Sequence, residues 1–231
     1  NYISCLDASF STSRLDMLAN CPLRYLFGEI FCLEPLEEVT EELSFKDIGS
    51  HVHAILKMLF EELKAKGENV ASLGLTRAFG LALEIGKAYF SRLSHLEGLD
   101  FFEAQKAALM DGLHTTATVE NQGPKREGLL AQMIRFEEAN LSNETITALE
   151  YRFGYGEERP VTLGSTRIRG YVDRVDTISG DDGLLVIYDY KTGRAPSLSD
   201  IKKGLSFQMP GYLFAVAAEQ EASNALARYY L

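Results

Sequence analysis

The chain has 231 residues, 46% of them hydrophobic and 24% charged, which is the balance of a soluble globular protein large enough to bury a substantial core. No run of about 18 apolar residues exists to span a membrane, and the first residues lack the basic start and apolar stretch of a signal peptide. A formal net charge of −10 argues against a broadly basic nucleic-acid groove, and three irregularly spaced cysteines (Cys5, Cys21, Cys32) argue against a disulfide scaffold or a self-contained four-cysteine metal site.

The segment FSTSRLDMLANCPLRYLFGEIFCLEP predicts two short helices. Ser11, Thr12 or Ser13 can cap the first, and Pro22 suits the first turn of the second. Residues 34–47 are acidic and predict a loop. IGSHVHAILKMLFEELKAKG then places Val52, Ile55, Leu56, Leu59, Phe60 and Leu63 at helical spacing. Further helices are expected over 75–100, 101–120 and 125–142, with a turn at Asn121–Pro124.

From residue 146 the texture changes. ITALEYRFGYG and VTLGSTRIRGYVDRVDTI alternate and are rich in β-branched and aromatic residues, which predicts strands. SGDDG predicts a turn, LLVIYDYKTG a buried strand, LSDIKKGLSFQMPGYLFAVAAEQEA a helix and ALARYYL a last strand. The fold class is therefore α/β or α+β: a mixed central sheet of about four to five strands flanked by helices, with an N-terminal helical region. One domain is expected over 1–231, with a helical part at about 9–140 and a sheet-bearing core at about 145–231. The start at Asn1 and the strand-like end predict a domain cut from a longer polypeptide.

The chemistry-bearing residues cluster in this second half. Asp189 and Lys191, two apart, share one face at the end of an apolar strand. They fit either a surface ion pair or a site for a hard cation and a water. If the preceding strand pairs with theirs, Asp173 comes near Asp189, and two close carboxylates must share a proton or hold a cation such as Mg²⁺. His53 borders the buried face of its helix, whereas His51 reads as solvated, and Gly49 permits close approach of another backbone. Gln208 and Tyr212 share a helix face and fit either a polar stripe or a hydrogen-bonding pair. Glu150 could reach the site or pair with Arg152, Arg167 or Arg169.

In this order the residues resemble the PD-(D/E)XK nuclease domain of the RecB and AddB type, with its restriction-endonuclease-like fold. GSHVH matches Gly-x-x-x-His (Gly49, His53), GYVD matches Gly-x-x-Asp (Gly170, Asp173), DYK matches Asp/Glu-x-Lys (Asp189, Lys191) and QMPGY matches Gln-x-x-x-Tyr (Gln208, Tyr212). STSRLDMLANCPLRYLF resembles the family's opening.

The resemblance implies Mg²⁺ or Mn²⁺ held by His53, Asp173, Asp189 and the backbone carbonyl of Tyr190, with Lys191 acting on water or on developing charge. It implies DNA phosphodiester hydrolysis in repair or recombination, a helicase domain or subunit as partner, and a place in the bacterial cytoplasm. Some members hold an iron–sulfur cluster whose first cysteine matches Cys21; a cluster here requires three further cysteines beyond Leu231. A locally positive stretch, with Lys191, Arg194, Lys202 and Lys203 against Asp189 and Asp200, suits phosphate contacts. The alternative is a nuclease-like module that has lost catalysis and serves DNA binding or assembly. Such a copy would be expected to lose the Asp or the Lys first, and both are present. A phosphatase acting on small phosphates would leave the Gly-x-x-x-His and Gln-x-x-x-Tyr matches unexplained.

Overall fold

The computed structural model describes residues 9–33, 45–113, 127–141, 143–155, 161–178 and 183–230. The chain divides into two compact units, with boundaries at Val39/Thr40, Leu149/Glu150, Asp189/Tyr190 and Gly193/Arg194. The expected turn at 121–124, most of the turn at 179–183, and Cys5 lie outside the described residues.

The first unit is built on a mixed sheet. Its strands are β1 (Phe10–Ser11), the second half of β2 (Glu144–Phe153), β3 (Val161–Leu163), β4 (Thr166–Ile178), β5 (Leu184–Tyr190) and β6 (Ala225–Tyr230). The long strand β4 organises it. It pairs parallel with β1, antiparallel with β3 and β5, and also with β2, while β6 borders β5. The sequence reading expected about four to five strands; the described residues contain six. β1 and β3 are too short to show a period. Gly164, at φ 62°, turns what read as one long strand into a β3–β4 hairpin.

Helices α1 (Thr12–Asn20), α2 (Pro22–Tyr25), α8 (Leu198–Lys202) and α9 (Gln208–Glu219) complete this unit. The Ser11 hydroxyl accepts from the Arg14 amide at 3.2 Å and caps α1. Pro22 starts α2, which widens into a π-helical turn over Leu26–Ile30. The single helix expected over 198–222 is two, because Gly204 takes φ 70° between α8 and α9. The unit's core includes Phe153, Ile168, Val172, Val175, Val186, Ile187, Ala215 and Val216.

The second unit is a helical bundle of α3 (Phe45–Lys66), α4 (Val70–Leu73), α5 (Leu75–Ser91), α6 (Asp100–Met110) and α7 (Leu129–Asn140). The apolar stripe of α3 lies as its spacing predicts. Val52, Ile55, Leu56, Leu59, Phe60 and Leu63 are all at most 1% exposed, each contributing about 1.5–3 kcal/mol over exposure. Three boundaries differ from expectation. α3 already begins at Phe45, inside the span read as a loop. α5 ends at Ser91, well short of residue 100, and Gly98 with φ 84° separates it from α6. α6 ends at Met110, and Gly112 takes φ 82°, a conformation that a continuing helix excludes. Among the described residues no helix is long and apolar enough to cross a membrane.

Candidate active site

In the first unit, β4 and β5 pair from Arg174 opposite Tyr188 to Ile178 opposite Leu184. Carried one step further, this register would bring Asp173 opposite Asp189, and both carboxylates bear on the Tyr212 hydroxyl. Antiparallel neighbours of this kind put their side chains on one face, with Cβ atoms about 4.5–5.5 Å apart. Asp173 is half-buried and Asp189 is buried.

Gln208, in the first turn of α9, donates to Asp189 Oδ1 at 3.0 Å and to the Tyr212 hydroxyl at 3.0 Å. One amide group thus spends both protons, one on the carboxylate and one on the phenol. Burial pushes the Tyr212 phenol up to about 12, and the negative charges of Asp189 and Asp173 push the same way. Both carboxylates therefore bear on one hydroxyl. Gly170 permits this packing. A Cβ there would meet the Phe153 ring at 2.7 Å and the Tyr212 ring at 3.3 Å, so only glycine lets that edge-to-face pair lie against β4.

In the second unit, His53 on α3 is half-buried, with Nε2 3.0 Å from the Tyr190 carbonyl oxygen. Its ring meets the Tyr190 ring edge-on at 5.5 Å, and the Tyr190 ring stacks on Phe60 at 6.3 Å. One turn earlier, a Cβ on Gly49 would sit 2.9 Å from Thr192 Oγ1. Gly49 thus admits a side chain rather than the backbone expected of it. Lys191 directly follows β5 and is half-buried. His51 is not the solvated residue its position suggested. Its Nδ1 lies 2.7 Å from the Tyr89 hydroxyl, and its ring packs against Tyr89 and Phe90.

Each unit holds groups of the kind that ligate a hard divalent cation. In the second unit the 3.0 Å between His53 Nε2 and the Tyr190 oxygen is a hydrogen bond, which a cation held by both atoms would replace. In the first unit Asp173 and Asp189 supply carboxylate oxygens of the kind Mg²⁺ prefers. Among the described residues no group of three or more His, Cys, Asp or Glu side chains forms a ready-made metal cluster. Asp173 and Asp189 belong to the first unit, and His53 and Tyr190 to the second.

Two features escaped the sequence reading. Arg174 and Asp176 form an ion pair at 1% and 0% side-chain exposure, with Arg174 Nε donating to Asp176 Oδ1 at 2.7 Å. Arg174 also lies over the Tyr188 ring at 5.2 Å. Their signal was visible: Arg174 and Asp176, opposite charges two residues apart in a strand, share one face of β4. The second is a group of exposed tyrosines and arginines around Tyr171. Glu150 is half-buried in β2 at φ 48°, while two of the arginines considered for it, Arg152 and Arg169, instead lie over tyrosine rings. Cys21 and Cys32 are exposed free thiols.

Three relatives are each named as a subunit of an ATP-dependent helicase/deoxyribonuclease. The protein of Clostridium tetani is 25% identical over 227 residues, covering 93% of this chain and 18% of its own length. That of Oceanobacillus iheyensis is 26% identical, over 91% and 18%, and that of Symbiobacterium thermophilum 28% identical, over 89% and 17%. The chain thus spans under a fifth of the length of these relatives. A family model described as the PD-(D/E)XK nuclease superfamily matches residues 9–231, nearly the whole sequence. With this match and a mixed sheet flanked by helices, the chain belongs to the PD-(D/E)XK nuclease superfamily.

Proposed function

We propose that this chain is a metal-dependent deoxyribonuclease domain that hydrolyses DNA phosphodiesters in repair or recombination. The observation that carries the reading is that Gln208 donates to Asp189 and to Tyr212, whose hydroxyl both Asp189 and Asp173 bear on. His53, Asp173, Asp189 and the Tyr190 carbonyl would hold Mg²⁺ or Mn²⁺. Once bound, such an ion lowers the pKa of water and offsets charge on phosphate oxygens.

The chain's own residues do the positioning. Gln208 holds Asp189 in place through its Oδ1. The rigid β5 strand fixes Asp189 and carries the chain directly into Lys191, within the narrow tolerance that catalysis requires. Lys191 orients the attacking water or offsets charge developing on the phosphate. Tyr212 stays protonated at physiological pH and keeps a neutral hydroxyl beside the two carboxylates. The products carry 5′-phosphates.

Residues 1–231 act as one nuclease domain within a bacterial helicase–nuclease of the cytoplasm; the names of the relatives support the helicase–nuclease setting. A cluster at Cys21 would need cysteines beyond this sequence. The test is degradation of end-labelled single- and double-stranded DNA in Mg²⁺, Mn²⁺ or EDTA, with Asp189→Ala alongside. Metal-dependent cleavage that the variant lacks supports the proposal. Wild-type turnover in Asp189→Ala overturns the site assignment. No cleavage in any metal favours the non-catalytic, DNA-binding alternative.

A further inference from the structure

Within the first unit, Tyr155 and Tyr171 stand side by side with ring centroids 5.2 Å apart, tilted at 56°. The Arg152 guanidinium lies 4.6 Å from the Tyr155 centroid and 5.3 Å from that of Tyr171, and Arg169 lies 5.5 Å from Tyr155. Although the four groups hold one another, Tyr155 remains 42% and Tyr171 44% exposed. Large rings left open to water beside stacked guanidinium groups are costly surface unless something covers them.

Their position indicates what that is. Alternate residues in the first half of β4 share a face, so Arg167, Arg169 and Tyr171 form one row, each step about 7 Å from the last, on the side opposite Gly170 and its Tyr212 contact. The row runs from two arginines to the tyrosine pair, and Tyr171 precedes the candidate metal ligand Asp173 by two residues. In a chain of net charge −10, this is a local concentration of cationic and aromatic groups. Guanidinium groups stacked on rings still present N–H donors to phosphate oxygens. Tyrosine faces accept any unpaired base, whereas bases inside a duplex are already stacked.

We propose that Arg152, Tyr155, Arg169 and Tyr171 form a stacking platform that holds single-stranded DNA on this domain. Bases stack on the two rings, and the arginines engage the backbone. The platform rests on the nuclease reading above, whose substrate it holds.

The experiment is photo-crosslinking of the intact protein to a single-stranded oligonucleotide containing 5-iodouracil, in EDTA so that the strand stays whole. Adducts are mapped by mass spectrometry, and DNA degradation in Mg²⁺ is measured in parallel. The expected result is adducts on Tyr155 or Tyr171, with capture falling about tenfold in Tyr155→Leu/Tyr171→Leu and held in Tyr155→Phe/Tyr171→Phe, which keeps the stacking faces. Arg152→Gln/Arg169→Gln should reduce the salt dependence of capture.

Adducts only elsewhere, or equal capture by the leucine variant, overturn the platform and leave the patch to a protein partner. If the wild type still degrades DNA in that case, the nuclease reading survives. If it neither degrades nor captures DNA, both fail.

Discussion

Replacing Asp173 by Asn should make the metal-free protein more stable. Carried one step past Arg174–Tyr188, the β4–β5 register would set Asp173 against Asp189, and Asp189 is only 4% exposed. Two unit charges about 5 Å apart repel by about 3 kcal/mol at the effective dielectric of a partly buried site, and by about 1 kcal/mol if water screens them fully. Asn keeps the shape and removes the charge, so the variant should gain about 1–3 kcal/mol. At this chain length each kcal/mol is about 2–4 °C in melting temperature. The assay is thermal and urea unfolding in EDTA, repeated with Mg²⁺. In EDTA the variant should melt higher than wild type. With Mg²⁺ the wild type should rise and the variant should not, because binding to the folded state adds stability only where a site exists. A variant that melts at or below wild type in EDTA would refute the opposed-carboxylate geometry.

Two further substitutions probe the supports of the pair. Gln208→Leu removes donors to Asp189 Oδ1 and the Tyr212 hydroxyl and should cost about 2–4 kcal/mol in urea unfolding. A loss under about 0.5 kcal/mol would mean those bonds do not hold the site. Tyr212→Phe should flatten the alkaline limb of the stability curve. A phenol raised from 10.0 to about 12 stabilises the fold fully below pH 10, and that contribution is lost as the pH climbs to about 12. The shift corresponds to about 3 kcal/mol, so wild type should fall more steeply than the variant between pH 10 and 12. Parallel curves would show that Tyr212 titrates normally.

Much of this was legible in the sequence because it repeats or is framed. The six-residue stripe of α3 has a helical period, and every member is buried. Asp189 stands out because the apolar strand before it does not. What stayed hidden depends on register and backbone sign. Nothing local in LGSTR says that Gly164 reverses the chain, since other glycines are tolerated within elements, such as Gly86 in α5. The break at Gly204 is concealed by continuous helix-compatible residues on either side. His51 looked solvated because its partner, Tyr89, lies on another helix. Tyr155 and Tyr171 are 16 residues apart and meet only once β2 is laid beside β4. The family's residues are an intermediate case: each motif is short, but their order along the chain carries information that no single motif does.

The central claim is that these residues hydrolyse DNA, and Lys191 separates chemistry from metal binding most cleanly. The decisive measurement is cleavage of end-labelled DNA in Mg²⁺ by wild type and Lys191→Ala, with the Mg²⁺-induced rise in melting temperature recorded on the same samples. The account predicts cleavage by wild type alone and a similar rise in both proteins. Cleavage by Lys191→Ala at the wild-type rate, or none by wild type despite bound metal, would contradict it.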